Sequence, residues 1–228
     1  MVRKRSREVR KYPRIQITSE AFNLKMKIIL LGPPGSGKGL FAQFLQDDFG
    51  IKKIATGDIL RKEIRNKSKI GKKAEKYVSK GIYVPDKIVL SMIKNKIRRI
   101  KNFTLDGFPR TVKQAKFLDK VIKVDKVIHI TTNDKNVIKR IANRLQCGKC
   151  NRIYNLITIK PRRKGICDIC KGKLYIRSDD KIVKTRLNVY KREIKPLIIY
   201  YKKKDVLEKV NGNRHFNLVY NDIRKLIK

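Results

Sequence analysis

The stretch "MKIILLGPPGSGKG", residues 26–39, constrains the fold more than any other. Its opening apolar run, Met26–Leu31, is bounded by glycine. It reads as a short strand buried on both faces, the kind found inside a parallel sheet. Gly32, Gly35 and Gly37 follow in the pattern G-x-x-x-x-G-K. Such a loop turns backbone N–H groups toward phosphate oxygens, and the helix N-terminus behind it adds positive potential. "GLFAQFLQDDFG" then places Leu40, Phe41, Phe44, Leu45 and Phe49 on one helical stripe that closes at Gly50. A glycine-rich turn alone says little, but the full spacing between a strand and a helix points to a nucleotide phosphate site. Lys38 is placed to bridge terminal phosphates and to follow negative charge as it moves. The loop departs from the general motif in one respect. The Ser or Thr that ordinarily follows the lysine is Gly39, and Leu40 after it carries no hydroxyl.

Beyond the loop, strand and helix patterns alternate. "IKKIATGD" predicts a second strand, and "DILRKEIRN" a helix capped by Asp58. Residues 68–80 and 86–100 read as two helices separated by "GIYVPD". "NFTLDGFPR" is a strand ending in polar loop chemistry, followed by the helix "TVKQAKFLDKV". "VDKVIHITT" is another buried strand, with "DKNVIKRIANRL" the helix behind it. Residues 145–180 break the rhythm with turns, cysteines and charges, as a small inserted module would. "VKTRLNVYKREIKPLIIYYKKKDVL" restores helix, kinked or restarted near Pro196, and residues 214–219 and 219–228 supply a last strand and helix. The alternation predicts an α/β fold, a parallel sheet with helices on both faces. A chain of 228 residues suits one such domain with small insertions.

All four cysteines fall in the inserted module, as Cys147-x-x-Cys150 and Cys167-x-x-Cys170. Two such turns point four thiolates at one tetrahedral ion and leave no open position for water, so the metal would be architectural. Zinc suits four thiolates best, and iron also occupies such sites. A redox pair would not need the duplication. A nucleic-acid-binding ribbon is a fairer rival, given Lys149, Arg152, Arg162 and Arg163 nearby. Asp58 and Asp106 stand at the carboxyl ends of predicted strands, the edge where open parallel sheets bind ligands. Asp106 is placed to hold magnesium through water; Asp58 reads as a helix cap.

Sixty basic residues against 19 acidic give a net charge of +41. Residues 1–25 hold eight basic and two acidic groups, a net +6, so a solvated basic tail does not cause the imbalance. Lysine recurs on nearly every predicted helix, which argues for a compositional bias, with nonspecific attraction to RNA as its side effect. No apolar run approaches the roughly 18 residues of a membrane span, and no secretory pattern opens the chain, so a cytoplasmic protein is expected.

Taken in order, "GPPGSGKG", "ATGDILR", "LDGFPRTVKQA", "RIANRLQCGKC", "GICDICKGKLYIRSDD" and "TRLNVY" resemble the adenylate kinase family in its long form, with a zinc-bearing lid. The resemblance covers Met26 to the C-terminus. It implies reversible transfer, ATP + AMP = 2 ADP, by a monomer using Mg2+ with ATP and a structural Zn2+. It implies a P-loop NTPase-like five-stranded parallel sheet flanked by helices, with a core over 26–54, 85–142 and 181–228. A helical AMP-binding insertion would span 55–84 and a small zinc-ribbon-like lid 143–180, with the cysteines above as zinc ligands. ATP would be held by Gly35, Ser36, Gly37, Lys38, Gly39, Leu40, Arg140, Arg144, Ile153, Tyr154 and Arg214. AMP would be held by Thr56, Arg61, Ile82, Tyr83, Val84, Gly107, Phe108, Pro109, Arg110 and Gln114, with Arg177 and Arg186. Lys38, Arg110, Arg144, Arg177, Arg186 and Asp106 would carry the chemistry, and Asp179 and Asp180 would be lid-hinge acids.

In that family glycine after the lysine is normal, so Gly39 is no defect. The departures are Leu40, where the family has Thr, Ala55 for a usual Ser, Arg162 for a second Pro, and a short spacing in "RSDDKIVKTRL". The missing hydroxyl at position 40 is expected to reduce activity at most. The alternatives are another nucleoside monophosphate kinase, with a GTP donor or a different acceptor, and an RNA-binding zinc-ribbon protein that keeps a nucleotide fold.

Overall fold

The computed structural model describes residues 25–98 and 100–227; all but the last residue of the basic N-terminal segment expected over 1–25 lies outside them. Five strands, β1 (Lys27–Leu31), β2 (Lys52–Ala55), β3 (Phe103–Asp106), β4 (Lys126–Thr131) and β8 (Leu207–Asn211), form one sheet in the order β2-β3-β1-β4-β8. All four pairings are parallel. The apolar run before the phosphate loop therefore sits at the centre, with Ile28, Ile29 and Leu30 buried. Its register aligns Leu30 with Asp106 on one side and Ile128 on the other, so the loops leaving β1 and β3 emerge side by side.

Because side chains alternate along a strand, each sheet face takes its own layer of helices. Ile28, Leu30, Ile128 and Ile130 meet Phe41, Phe44 and Leu45 of α1 (Lys38–Phe49), and Val219 and Ile223 of α8 (Phe216–Lys225). Ile29, Leu31, Leu105 and Val127 face the other way. They pack with Ile93 and Ile97 of α4 (Asp86–Arg98), Leu118 of α5 (Val112–Asp119), and Leu197 and Tyr201 of α7 (Val183–Lys202). Each such side chain fully withdrawn from water contributes roughly 1.5–3 kcal/mol. The first helix ends, as its glycine predicts, with Gly50 at φ 67°.

Two insertions stand on this frame. Between β2 and α4, helices α2 (Thr56–Arg65) and α3 (Lys69–Val78) pack on each other. After α6 (Asp134–Ala142), a three-stranded antiparallel sheet, β6-β5-β7, is built from β5 (Arg144–Cys147), β6 (Ile153–Asn155) and β7 (Leu174–Tyr175). Among the described residues no helix is long and apolar enough to cross a membrane.

Three local expectations are corrected. The last strand is Leu207–Asn211, not residues 214–219, and the last helix begins at Phe216. That strand pairs only with β4, and at a sheet edge charged residues such as Glu208 and Lys209 are tolerated, so it shows no apolar run. Of the kink or restart expected near Pro196 the restart is excluded: α7 is continuous through it, anchored just beyond by buried Leu197 and Tyr201. Helix α2 starts at Thr56 with Ala55 as its cap residue, so Asp58 lies in the first turn and does not cap it.

Candidate active site

The loop between β1 and α1 closes tightly because Gly37 sits at φ +99°, with the Phe41 ring 2.7 Å from where a Cβ would stand. Inside it the Lys38 Nζ donates to the Gly32 and Pro33 carbonyls, each at 2.7 Å, and to Ser36 Oγ at 3.3 Å. Withdrawal from water pushes the Lys38 ammonium down to about 7; Asp106 opposes this, and Arg110, Arg186 and Arg144 add to it. A lysine so placed gains whenever phosphate oxygens replace neutral carbonyls around it.

Two cavities meet at Lys38, and Gly57, Arg61, Gly107, Arg110 and Arg186 also line both. The first adds Thr56, Ile82, Tyr83, Val84 and Gln114, together with Tyr190 and Ile194. The second adds Gly35, Ser36, Gly37, Gly39, Leu40, Asp106, Arg140, Arg144, Ile153, Tyr154, Arg177 and Arg214, together with His215 and Phe216. Every residue expected at the ATP site therefore lines one cavity, and most of those expected at the AMP site line the other. Phe108 and Pro109 line neither. Phe108 is buried in the core, and a cis peptide bond joins it to Pro109. Arg177 lines the second cavity, not the first.

The floor of the first cavity is fixed by hydrogen bonds across the ends of β2 and β3. Thr56 Oγ1 donates to the Gly107 carbonyl at 2.7 Å, and Arg110 Nε donates to the same oxygen at 2.8 Å. Gln114 accepts from the Arg110 backbone N–H at 2.8 Å and donates to Asp86 Oδ1 at 2.6 Å, which sets its amide's orientation. The Arg110 guanidinium lies 5.0 Å from the Tyr83 ring centroid, a cation–π contact that holds it flat.

Arg61, Arg144 and Arg186 are held by acids on the turn Ser178–Asp180. Arg144 pairs with Asp180, its Nε 3.1 Å from Oδ2. Arg186 NH1 lies 2.9 Å from Asp179 Oδ2 and 3.4 Å from Asp180 Oδ1, so the short spacing still brings them together. Arg61 reaches Asp179 at 3.7 Å and Asp58 at 2.5 Å. Burial pushes Arg177 down to about 9, with Arg144 and Arg61 adding their repulsion. Burial likewise pushes Arg186 down to about 10, against the pull of Asp179. Burial alone would raise Asp179 and Asp58, but the surrounding cations hold both carboxyls below their ordinary range. Guanidinium groups that repel one another at close quarters form a strong site for a polyanion.

The four cysteine Sγ atoms lie within 4.8 Å of one another, with Cys147–Cys170 at 3.3 Å and Cys150–Cys167 at 3.7 Å. Four thiolates about 2.3 Å from one zinc ion would be about 3.8 Å apart, so the donor set fits a closed structural site. At Cys167, burial is outweighed by hydrogen bonds from the Cys170 backbone, Tyr154 and the Ile169 backbone, which bring the thiol down to about 6, toward the ligating form. Tyr154 thus joins the cysteine cluster to the second cavity, its hydroxyl 3.4 Å from Cys167 Sγ. Of the basic residues that suggested a nucleic-acid ribbon, Arg152 is committed to Asp47 of α1 at 2.8 Å.

Asp58, Lys53, Gln146 and Asp86 were not singled out as site residues by the sequence. Asp58 had one legible signal, its place after a strand; the others carry no spacing that marks them.

A family model described as adenylate kinase matches residues 30–206. An adenylate kinase of Caldicellulosiruptor saccharolyticus is 46% identical over 192 residues, covering 80% of this chain and 89% of that protein. One of Methanothrix thermoacetophila is 42% identical over 212 residues, covering 89% and 98%. One of Borrelia garinii subsp. bavariensis is 43% identical over 207 residues, with the same coverage. With this match, and with the phosphate loop, paired cavities and cysteine cluster in one molecule, the chain belongs to the adenylate kinase family.

Proposed function

We propose that the protein transfers the terminal phosphoryl group of ATP to AMP, giving two ADP, and runs the reverse reaction equally well. The observation that carries this reading is the meeting of two cavities at Lys38, with Arg110 and Arg186 shared between them. A donor in one and an acceptor in the other would face each other across those three cations. Phosphoryl transfer has a loose transition state with charge spread over its oxygens, so positioned cations do most of the work and no tuned general base is needed.

In this reading the loop Gly35–Leu40 cradles the ATP phosphates, with Arg140, Ile153, Tyr154 and Arg214 around the nucleoside. Thr56, the backbone of Ile82–Val84, Gly107 and Gln114 hold AMP, and Arg61 and Arg110 clamp its phosphate as bidentate forks. Lys38, Arg144, Arg177 and Arg186 surround the group in flight. Asp106 would help to hold the magnesium that comes with ATP, which would supply further charge neutralisation. Residues 143–180 act as a zinc-held lid and 55–84 as the AMP-binding segment, closing on the core formed by 26–54, 85–142 and 181–228 and excluding water. Asp179 and Asp180 pair with the arginines as the lid closes. The protein acts as a cytoplasmic monomer, and its basic surface attracts RNA without sequence preference.

The test is ADP formation from ATP and AMP with magnesium, with GMP, CMP and UMP as alternative acceptors and GTP as alternative donor. Turnover with ATP and AMP well above the other pairs supports the assignment. Folded, zinc-loaded protein that turns over none of them would sink it.

A further inference from the structure

Gln146 lines neither cavity, yet its side chain is fully buried, and its amide makes four hydrogen bonds, two of them to Asp58 and Arg177 of the second cavity. All of its hydrogen-bonding positions are filled. Its Nε2 donates to Asp58 Oδ1 at 3.0 Å and to the Asn151 carbonyl at 3.2 Å. Its Oε1 accepts from Arg177 Nε at 2.5 Å and from the Tyr175 hydroxyl at 3.3 Å. A flipped amide would set N–H against guanidinium and oxygen against carboxylate, so only one orientation is satisfied. Among the described residues this oxygen is the only hydrogen-bond acceptor Arg177 finds; Asp58 stands farther off, at 3.8 Å.

We propose that Gln146 is a positioning residue: it fixes the Arg177 guanidinium and makes docking of the lid and docking of helix α2 a single event. The inference rests on the reading of Arg177 as a group that meets the transferring phosphoryl. Arg177 is pressed by Arg144 and Arg61, and an unanchored guanidinium there would turn away. A carboxylate in place of the amide would hold it but spend its charge. The neutral amide oxygen holds it and leaves the charge for phosphate. The same amide donates to Asp58, whose Oδ1 also receives Arg61 of α2 at 2.5 Å, and Tyr175 is reached by Arg65 at 3.4 Å. One side chain thus ties the lid strand β5 to the first two turns of α2. Unlike a carboxylate or an ammonium, an amide can accept from a guanidinium and donate to a carboxylate at once.

The experiment compares wild type, Gln146→Met, Arg177→Lys and the double variant, each checked for zinc content and melting temperature. Two quantities are read: kcat and KM for both substrates, and AMP affinity with and without a non-hydrolysable ATP analogue. For Gln146→Met we expect kcat to fall on the order of tenfold or more, as a misplaced catalytic group costs, with each KM within about threefold. In the double variant the loss should exceed that of Arg177→Lys by no more than about twofold. Occupancy of the donor site should tighten AMP binding in wild type and not in Gln146→Met. A kcat within about twofold of wild type, or losses that simply add, would overturn the proposal, because a merely structural side chain predicts both. If Gln146→Met does not fold, Gln146→Glu serves instead: it keeps the volume and the contact to Arg177 but spends that charge and faces Asp58 with a second carboxylate, so kcat and the AMP coupling should both fall. Wild type without turnover would count against the function alone, since the binding arm still reads Gln146: coupling kept in the variant, or missing from wild type, overturns the proposal.

Discussion

Gly39 and Asp106 stand in close contact: a Cβ at position 39 would lie 2.9 Å from Asp106 Oδ2, and equally close to Ile153 Cδ1. In phosphate loops at large the hydroxyl after the lysine meets the metal. Here a carboxylate from β3 closes over that position, so a side chain there must push the ends of Asp106 and Ile153 aside.

Restoring a hydroxyl at position 39 should therefore harm the enzyme. Gly39→Ser is expected to lower kcat by about tenfold or more through displacement of Asp106, the order of loss a misplaced group brings. Leu40 is only partly buried and lines the second cavity, so Leu40→Thr fits. It should leave kcat unchanged or raise it by roughly threefold, in line with one added hydrogen bond. Steady-state kinetics of the two variants, side by side, decide this. A gain from Gly39→Ser would mean that Asp106 does not own the position.

Lys38 gives a pH signature. Its ammonium is brought to about 7 in the folded protein against an ordinary 10.5, so between those values the unfolded chain holds a proton that the folded one lacks. The stability contribution of this residue therefore rises with pH across that window and is flat below it. Phosphate oxygens favour the ammonium, so ATP binding at pH 8 should take up close to one proton. Calorimetric titration in buffers of different ionisation heat measures the uptake. Lys38→Met should abolish it and lower kcat by roughly a thousandfold, as loss of a transition-state cation does. Uptake that survives in the variant would assign the proton elsewhere.

How much of this was legible in the sequence depends on what each residue answers to. The phosphate loop, β1 and the cysteine pairs are local patterns with one physical solution each, and the chain adopts it. β8 was misplaced because an edge strand carries charges and lacks the apolar run that marks a buried one. Asp58 looked like a cap because its partners Lys53, Gln146 and Arg177 come from β2, β5 and the segment after β7, and no spacing reveals such a meeting. Gln146 was invisible for the same reason: a lone glutamine gains meaning only when Arg177 and Asp58 arrive on either side.

Arg110 is held as a flat fork, by the Gly107 carbonyl at 2.8 Å and the Tyr83 ring, rather than as a loose cation. Arg110→Lys keeps the charge and loses the fork. It should raise the KM for AMP and lower kcat, each by about tenfold or more, while the KM for ATP moves by less than about threefold. Arg140→Lys should show the reverse pattern, because its guanidinium lines only the second cavity and donates to the Gly212 carbonyl at 2.7 Å. Substrate-resolved kinetics would expose a wrong division of the two cavities, since the selective rises in KM would then exchange.

With zinc held by the four cysteines as proposed, its loss should unfold one module and spare the rest. Between β5 and β7 the lid buries few apolar side chains, chiefly Tyr154, Ile159, Cys147 and Cys167, and a segment of that size cannot pay for its own chain entropy. The four thiolates, once without an ion, would repel or protonate, and the hydrogen bond from Tyr154 to Cys167 Sγ would lose its charged acceptor. The parallel sheet draws on two separate apolar layers and has no such dependence. A strong chelator, or Cys150→Ser, should therefore speed hydrogen exchange across residues 143–180 while β1 and β4 stay protected. Activity should fall by about a hundredfold or more as Arg144 and Arg177 lose their frame, and zinc should restore it in the chelated protein but not in the variant. Chelated protein that keeps full activity would show that protein contacts alone fold the lid, and cooperative unfolding of the whole chain would show that the sheet leans on the lid after all.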